Sequence, residues 1–447
     1  MKDPYVISKD TIKEPPSTLL ERFKFLGPGF ILSASIVGSG ELIATTILGA
    51  KAGFVALWVI IFSCLAKVAV QLEFGKHTVL TGERCMQALS HLRGPKRWAV
   101  WALFVLIGLK IIQLGGMLGG AVVILNMLFP TVPIAVWAVV MGGTIATIIY
   151  NGRYKIIEKI ALFVICMFTV LTMTSLISLQ FTPFGFSILS VLDQQKLHIP
   201  SEILPYAIGA FGITGVAADE IIAYTYWCLE KGYASYTGPR DNSGAWKVRA
   251  EGWIKVMYLD ATVAMIIYTV VTVAFYLLGA SVLYQRGEVP VGNEVIEALA
   301  VIYTVSLGPG IKSVYLIGGF FVLFGAVFST AGAWSRIFPD IFGQLGWLEF
   351  DNLEKRRKVI KVLAILFPAC WVMTYLFIQL PVLMVLFGGL VGSLMLFVVM
   401  AGAIHFKYGE VQLLPSGKLY TVAFWISLIS IFIVGVYGVV RVTSEIL

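Results

Sequence analysis

Charged side chains are scarce in this sequence. Asp, Glu, Lys and Arg make up 13% of its 447 residues, against about a quarter in an average soluble domain. Cysteine is also sparse, and Cys64, Cys85, Cys166, Cys228 and Cys370 stand singly, with no CxxC or Cys/His spacing. That excludes a disulfide framework and a structural zinc site, and the five read as small apolar fillers. No nucleophile, base and orienting group fall at motif spacing, so an enzyme is not expected. The first 20 residues are polar and contain Pro15-Pro16, which argues against a cleavable signal peptide and for a mobile arm over residues 1–20.

Apolar residues are abundant. They account for 58% of the chain, with a mean hydropathy of +0.89, where roughly 45 to 50% is usual. Runs of membrane-spanning length occupy 22–50, 53–75, 98–129, 132–150, 156–180, 201–228, 252–284, 308–336, 359–378, 381–405 and 420–443. The predicted fold is an all-α polytopic membrane protein of about eleven transmembrane helices.

Lys and Arg gather in alternate loops, at Lys76–Arg97, Arg153–Lys155, Lys231–Arg249, Lys355–Lys358 and Lys407–Lys418. Cations mark the cytoplasmic side, so the amino terminus is placed inside the cell and, with an odd helix count, the carboxyl terminus outside. This bias accounts for the net charge of +8, and nucleic-acid binding gains no support from it. In the outer loop between the seventh and eighth spans, Asn293–Ala300 reads as a short amphipathic helix. Glycines 108, 115, 116, 119 and 120 in the third span read as a helix-packing face.

The chain is organised around Gly38-Ser39-Gly40-Glu41, in the middle of the first span. Glycine and serine weaken a helix, and a carboxylate in hydrocarbon must be buried in protein or line a watery cavity. A second segment answers it: Glu41-Leu42-Ile43-Ala44-Thr45-Thr46 aligns without a gap on Glu220-Ile221-Ile222-Ala223-Tyr224-Thr225, after Ala217, Ala218 and Asp219. Such internal similarity is the mark of an inverted-repeat transporter, whose substrate lies between two helix interruptions. The predicted organisation is an arm (1–20), a first repeat of helices 1 to 5 (21–180), a second of helices 6 to 10 (199–407), and an eleventh helix with an outer C-terminus (420–447), with helices 1 and 6 discontinuous.

Other charges inside predicted spans are Lys67, Glu73, Lys110 and Asp260. Clustered carboxylates in a low dielectric need a bound cation or a fixed counter-charge, and Lys110 and Asp260 are the candidates for charge compensation or coupling. Lys67 and Glu73, nearer the cytoplasmic end, are expected to snorkel or pair with each other. An open break at Gly38–Gly40 would leave the carbonyls of Ser35, Ile36 and Val37 facing the gap. Carbonyls and carboxylates with no histidine or thioether form a hard-oxygen shell, suited to magnesium, manganese or calcium.

Leu26-Gly27-Pro28-Gly29-Phe30, Gly53-Phe54, Leu57-Trp58-Val59-Ile60, Thr81-Gly82 and Leu125-Asn126-Met127-Leu128-Phe129, with the number and order of spans, resemble the Nramp family of divalent-metal transporters. The resemblance is strongest over roughly the first 130 residues. It implies the fold, a pocket between helices 1 and 6, and Thr214 as a carbonyl donor. The family's Asp-Pro-Gly-Asn falls on Gly38, Ser39, Gly40 and Glu41, and its Met-Pro-His-Asn on Ala217, Ala218, Asp219 and Glu220. The family's proton-handling acids of helix 3 fall on Leu114 and Met117. Transition-metal selection and proton coupling are therefore not implied for this chain. Gly38-Ser39-Gly40 also resembles the first-helix Gly-Ser-Gly of amino-acid transporters in the same broad superfamily, whose backbone amides hold a substrate carboxylate.

The expectation is a secondary transporter of a small cation, a hard divalent ion such as Mg2+ or Mn2+, working in the plasma membrane by alternating access and without a cofactor. Glu41, Asp219 and Glu220 are the candidate ligands, framed by Gly38, Ser39, Gly40 and Ala217. The alternatives are an amino-acid or amine transporter and a non-transporting sensor of the same fold. The oligomeric state is open, and a monomer is compatible with all of these.

Overall fold

In hydrocarbon a backbone has to satisfy its own hydrogen bonds, so long apolar runs wind into helices. The computed structural model describes residues 3–151, 154–195, 199–241, 243–287, 312–409 and 417–446. Among the described residues there is no strand. Within those same residues ten helices are long and apolar enough to cross a membrane, and a bent pair in the first span makes an eleventh.

We number the spans α1 (residues 28–52, in limbs Pro28–Ile36 and Glu41–Ala52), α2 (Leu57–Thr81), α3 (Trp98–Leu128), α4 (Ile134–Asn151), α5 (Tyr154–Leu179) and α6 (Leu204–Lys231). The remainder are α7 (Gly244–Arg286), α8 (Lys312–Leu345), α9 (Leu353–Ile378), α10 (Pro381–Tyr408) and α11 (Lys418–Ile446). The segment Asn293–Ala300 lies outside the described residues.

Packing repeats between the two halves. The helix α2 lies against α6 as α7 lies against α1, and α3 against α10 as α8 against α5. Shifting each partner by five helices exchanges the pairs, as two inverted five-helix repeats require. Three of the third-span glycines serve close packing, since Gly115 and Gly116 meet Met384 and Gly119 meets Tyr375, whereas Gly108 has open space beside it.

The two expected interruptions differ. In α6 the first half ends at Ile213, Thr214 is extended (ψ 147°), and the second half starts at Ala218. Gly215, in the gap, has φ +65°, and a side chain there would press on Cys64 and Ser63 of α2. Left-handed backbone and close approach both demand glycine. Gly215→Ala is expected to cost about 1–3 kcal/mol, read as a lower midpoint of thermal unfolding in detergent.

In α1 the limbs meet at 45°, yet the backbone stays wound, as a π-helix over Val37–Thr45. This corrects the expected open break with bare carbonyls at Ser35, Ile36 and Val37. The wider winding takes up the bend, a device often found at functional sites. Gly38 is there for contact: a side chain would collide with the Val322 carbonyl and Ala326 of α8. Of Ser39 and Gly40 only the backbone path within this stretch is described.

The amino-terminal arm is tied down, contrary to the mobile arm its composition suggests. Asp3 accepts from Arg356 of α9 at 2.6 Å, and the Tyr5 hydroxyl donates to Glu230 of α6 at 3.1 Å. Further along, the Lys13 carbonyl accepts from the Trp253 indole of α7 at 2.9 Å. Specific polar contacts hold a segment that has no core of its own.

Candidate functional site

The second half of α6 begins with two acids, Asp219 and Glu220, in its first turn. Unpaired backbone N–H groups and the helix dipole favour negative charge at that end. Glu220 turns back to accept from the Ala217 N–H through Oε2 at 2.8 Å. Its Oε1 accepts from the Ser35 hydroxyl of α1, also at 2.8 Å. Asp219 Oδ1 faces the Lys110 ammonium of α3 at 2.5 Å. All four side chains are buried.

Asp219 and Glu220 border a narrow cavity between α1, α6 and α8, lined also by Ser35, Ser329, Thr330 and Trp334. It has room for about one water molecule. The Ser329 hydroxyl and the Trp334 indole nitrogen are buried there with no hydrogen-bond partner, so the lining offers polar atoms to a guest.

A second cluster sits on the interruption itself. Glu41 is fully buried, and its Oε1 accepts from the Gly215 N–H at 2.8 Å. Its Oε2 accepts from the Thr272 hydroxyl of α7. Lys67 of α2, also fully buried, donates to the Thr214 carbonyl at 2.7 Å and to the Phe211 carbonyl. Ser63 donates to the same two carbonyls, at 3.0 and 3.2 Å. The peptide joining Thr214 to Gly215 is thus gripped on its C=O by an ammonium and on its N–H by a carboxylate.

Of the expected site residues, Asp219, Glu220 and Lys110 come together, and Ala217 contributes its N–H to them. Glu41 and the Thr214 carbonyl lie in the adjoining cluster, where both carboxylate oxygens and the carbonyl already have partners. Asp260 stands apart. It accepts from the N–H groups of Gly27 and Gly29 at 2.8 and 2.7 Å and from the Tyr224 hydroxyl at 3.0 Å, and so caps the start of α1.

Lys67 does not snorkel and does not pair with Glu73, as had been expected. Glu73 instead faces Lys407 at 3.2 Å and Lys76 at 4.0 Å. The roles of Lys67, Thr272, Ser329, Thr330 and Trp334, and of the Ser35 hydroxyl, went unrecognised in the sequence. Only Lys67 left a signal there, a charge well inside an apolar run.

Among the described residues no three His, Cys, Asp or Glu side chains converge as a ready-made metal cage. What the cavity presents is two carboxylates with hydroxyls around them. That donor set suits a hard cation that keeps part of its water, which is bound through one or two carboxylates rather than by an all-protein cage.

Paired five-helix repeats, an interrupted α6 and buried acids beside the interruption define a secondary carrier of the inverted-repeat class. Residues 29–441 match the family described as natural resistance-associated macrophage protein-like, and the chain belongs to that family, Nramp, which comprises transporters and no enzymes. An uncharacterised protein of Pasteurella multocida is 24% identical over 352 residues, covering 74% of this chain and 73% of its own. The divalent metal cation transporter MntH of Listeria welshimeri is 25% identical over 357 residues, 77% of this chain and 72% of its own.

Among solved structures, the manganese transporter of Eremococcus coleocola superposes with a TM-score of 0.71 at 13% identity, over 97% of this chain and 90% of its own. Mhp1, a nucleobase-cation-symport-1 family transporter, gives 0.58 at 13% identity, over 97% and 95%. At these identities the superpositions speak for the fold alone.

Proposed function

We propose that this Nramp-family chain is a secondary transporter of a hard divalent cation, Mg2+ or Mn2+, which binds at Asp219 and Glu220 between α1, α6 and α8. The observation that carries the reading is the pair of buried carboxylates at the restart of α6, which border a narrow cavity together with Ser35, whose hydroxyl donates to Glu220. The names of the curated relatives, as divalent metal cation transporters, point the same way.

An arriving cation competes with the Lys110 ammonium for Asp219, so binding displaces a tethered positive charge and the site gains one unit of charge rather than two. Hydroxyls of Ser35, Ser329 and Thr330 are placed to complete an oxygen shell. Leu114 and Met117 carry no titratable group, and the reading includes no proton step through α3. In this reading the protein works in the plasma membrane, and the loop charges favour an amino terminus on the cytoplasmic side.

Reconstituted into liposomes, the chain is expected to take up Mn2+ or Mg2+ saturably, each ion inhibiting the other. Absence of flux for both, with a thermal shift on adding a zwitterionic amino acid, would transfer the assignment to the amino-acid reading. That alternative has lost its motif-level support, because Gly38–Gly40 is wound into a π-helix rather than opened into an amide cradle.

A further inference from the structure

We propose that Lys67 is the built-in occupant of a monovalent-cation site at the interruption of α6, and that this carrier therefore needs no free alkali ion at that position. The first half of α6, Leu204–Ile213, ends with carbonyls that no further helical N–H can satisfy, and they carry the negative end of the helix dipole. Phe211 and Thr214 present two of these carbonyls to one point. The Lys67 ammonium fills that point, 4.8 Å from the centre of the Phe211 ring.

Ser63 closes the cluster. Its hydroxyl donates to both carbonyls and receives the Thr214 hydroxyl at 2.8 Å. Carbonyl oxygens, a hydroxyl and an aromatic face are the donor set that takes a small monovalent cation. The balancing negative charge is also fixed. Glu41 holds the N–H of the same peptide whose C=O binds Lys67, so an opposite pair of charges brackets a single peptide unit.

A free ion in this place would come and go with concentration; a lysine side chain is always in place and adds no binding step. The tether reaches from α2 to α6, so the occupant also positions the half-helix that precedes Asp219 and Glu220. In this scheme Lys67 is a positioning residue, and it does not touch the transported ion.

Removing the tether while leaving the site gives the test. Lys67→Ala opens space for a small cation, and Lys67→Met fills the same space with a neutral chain of similar length. In choline buffer, Lys67→Ala is expected to take up Mn2+ at least about tenfold more slowly than the parent chain. Methylammonium or sodium is expected to restore the rate in Lys67→Ala and to leave Lys67→Met and the parent unchanged. The unfolding midpoint of purified Lys67→Ala should rise with methylammonium concentration, as linkage to a folded-state ligand requires.

That thermal arm needs no transport, so it separates failure of this inference from failure of the metal-transport reading on which the uptake arm rests. If Lys67→Ala can be purified only with methylammonium present, the inference gains the same support. Two results would overturn it: a Lys67→Ala midpoint indifferent to methylammonium, sodium and potassium alike, or Lys67→Met transporting as fast as the parent in choline.

Discussion

Liposomes carrying the double variant Asp219→Asn/Lys110→Met are expected to take up manganese no faster than protein-free vesicles, although the protein melts close to the parent. The single variant Asp219→Asn is a poorer test. It strands the Lys110 ammonium in a buried place, and breaking such a pair from one side costs about 3–5 kcal/mol, enough to unfold the protein for reasons unrelated to transport. Replacing both partners with neutral groups of similar volume is often close to neutral for stability. Any loss of flux in the double variant then reports the missing carboxylate. Restored uptake would mean that Asp219 serves only to balance Lys110.

The second large effect concerns Glu41. Glu41→Ala removes the acceptor for the Gly215 N–H and for the Thr272 hydroxyl. The buried Gly215 N–H is left without that acceptor, and a loss of about 1–3 kcal/mol follows. Glu41→Gln keeps an oxygen for Gly215, and its amide can donate to the Thr272 oxygen, which frees the single Thr272 hydroxyl proton for the Tyr268 carbonyl 2.6 Å away. The glutamine variant is thus expected to melt well above the alanine variant in detergent. Equal midpoints for the two would show that the bonds on the interruption contribute little and would return Glu41 to consideration as a cation ligand.

Much of this architecture could be read from the chain before the coordinates. Spans are set by the length of apolar runs, and the likeness of Glu41–Thr46 to Glu220–Thr225 located the two helices that matter. The carboxylates at Asp219 and Glu220 were found because charge is costly at that depth. Side-chain direction could not be read. Whether Lys67 points along α2 toward headgroups or across to α6 depends on helix rotation, which a uniformly apolar span does not encode. Serines and threonines gave no signal for a related reason: their hydroxyls can bond back to their own helix, so Ser35, Thr272 and Ser329 look like neutral filler until a neighbour is placed. The glycine at 38 was over-read, since close packing and backbone opening leave the same mark in a sequence.

The tethered amino-terminal arm has a mechanical consequence. Asp3 is fastened to α9, Tyr5 to α6 and Lys13 to α7, so the arm bridges α6 and α7 to α9. Because only nine residues lie between Asp3 and Lys13, any swing that pulls α6 and α7 away from α9 has to unhook one of the fastenings first. The opening of that face is therefore coupled to the release of a short strip of peptide, and enzymes or binding proteins that seize that strip would act on the carrier without reaching the ion.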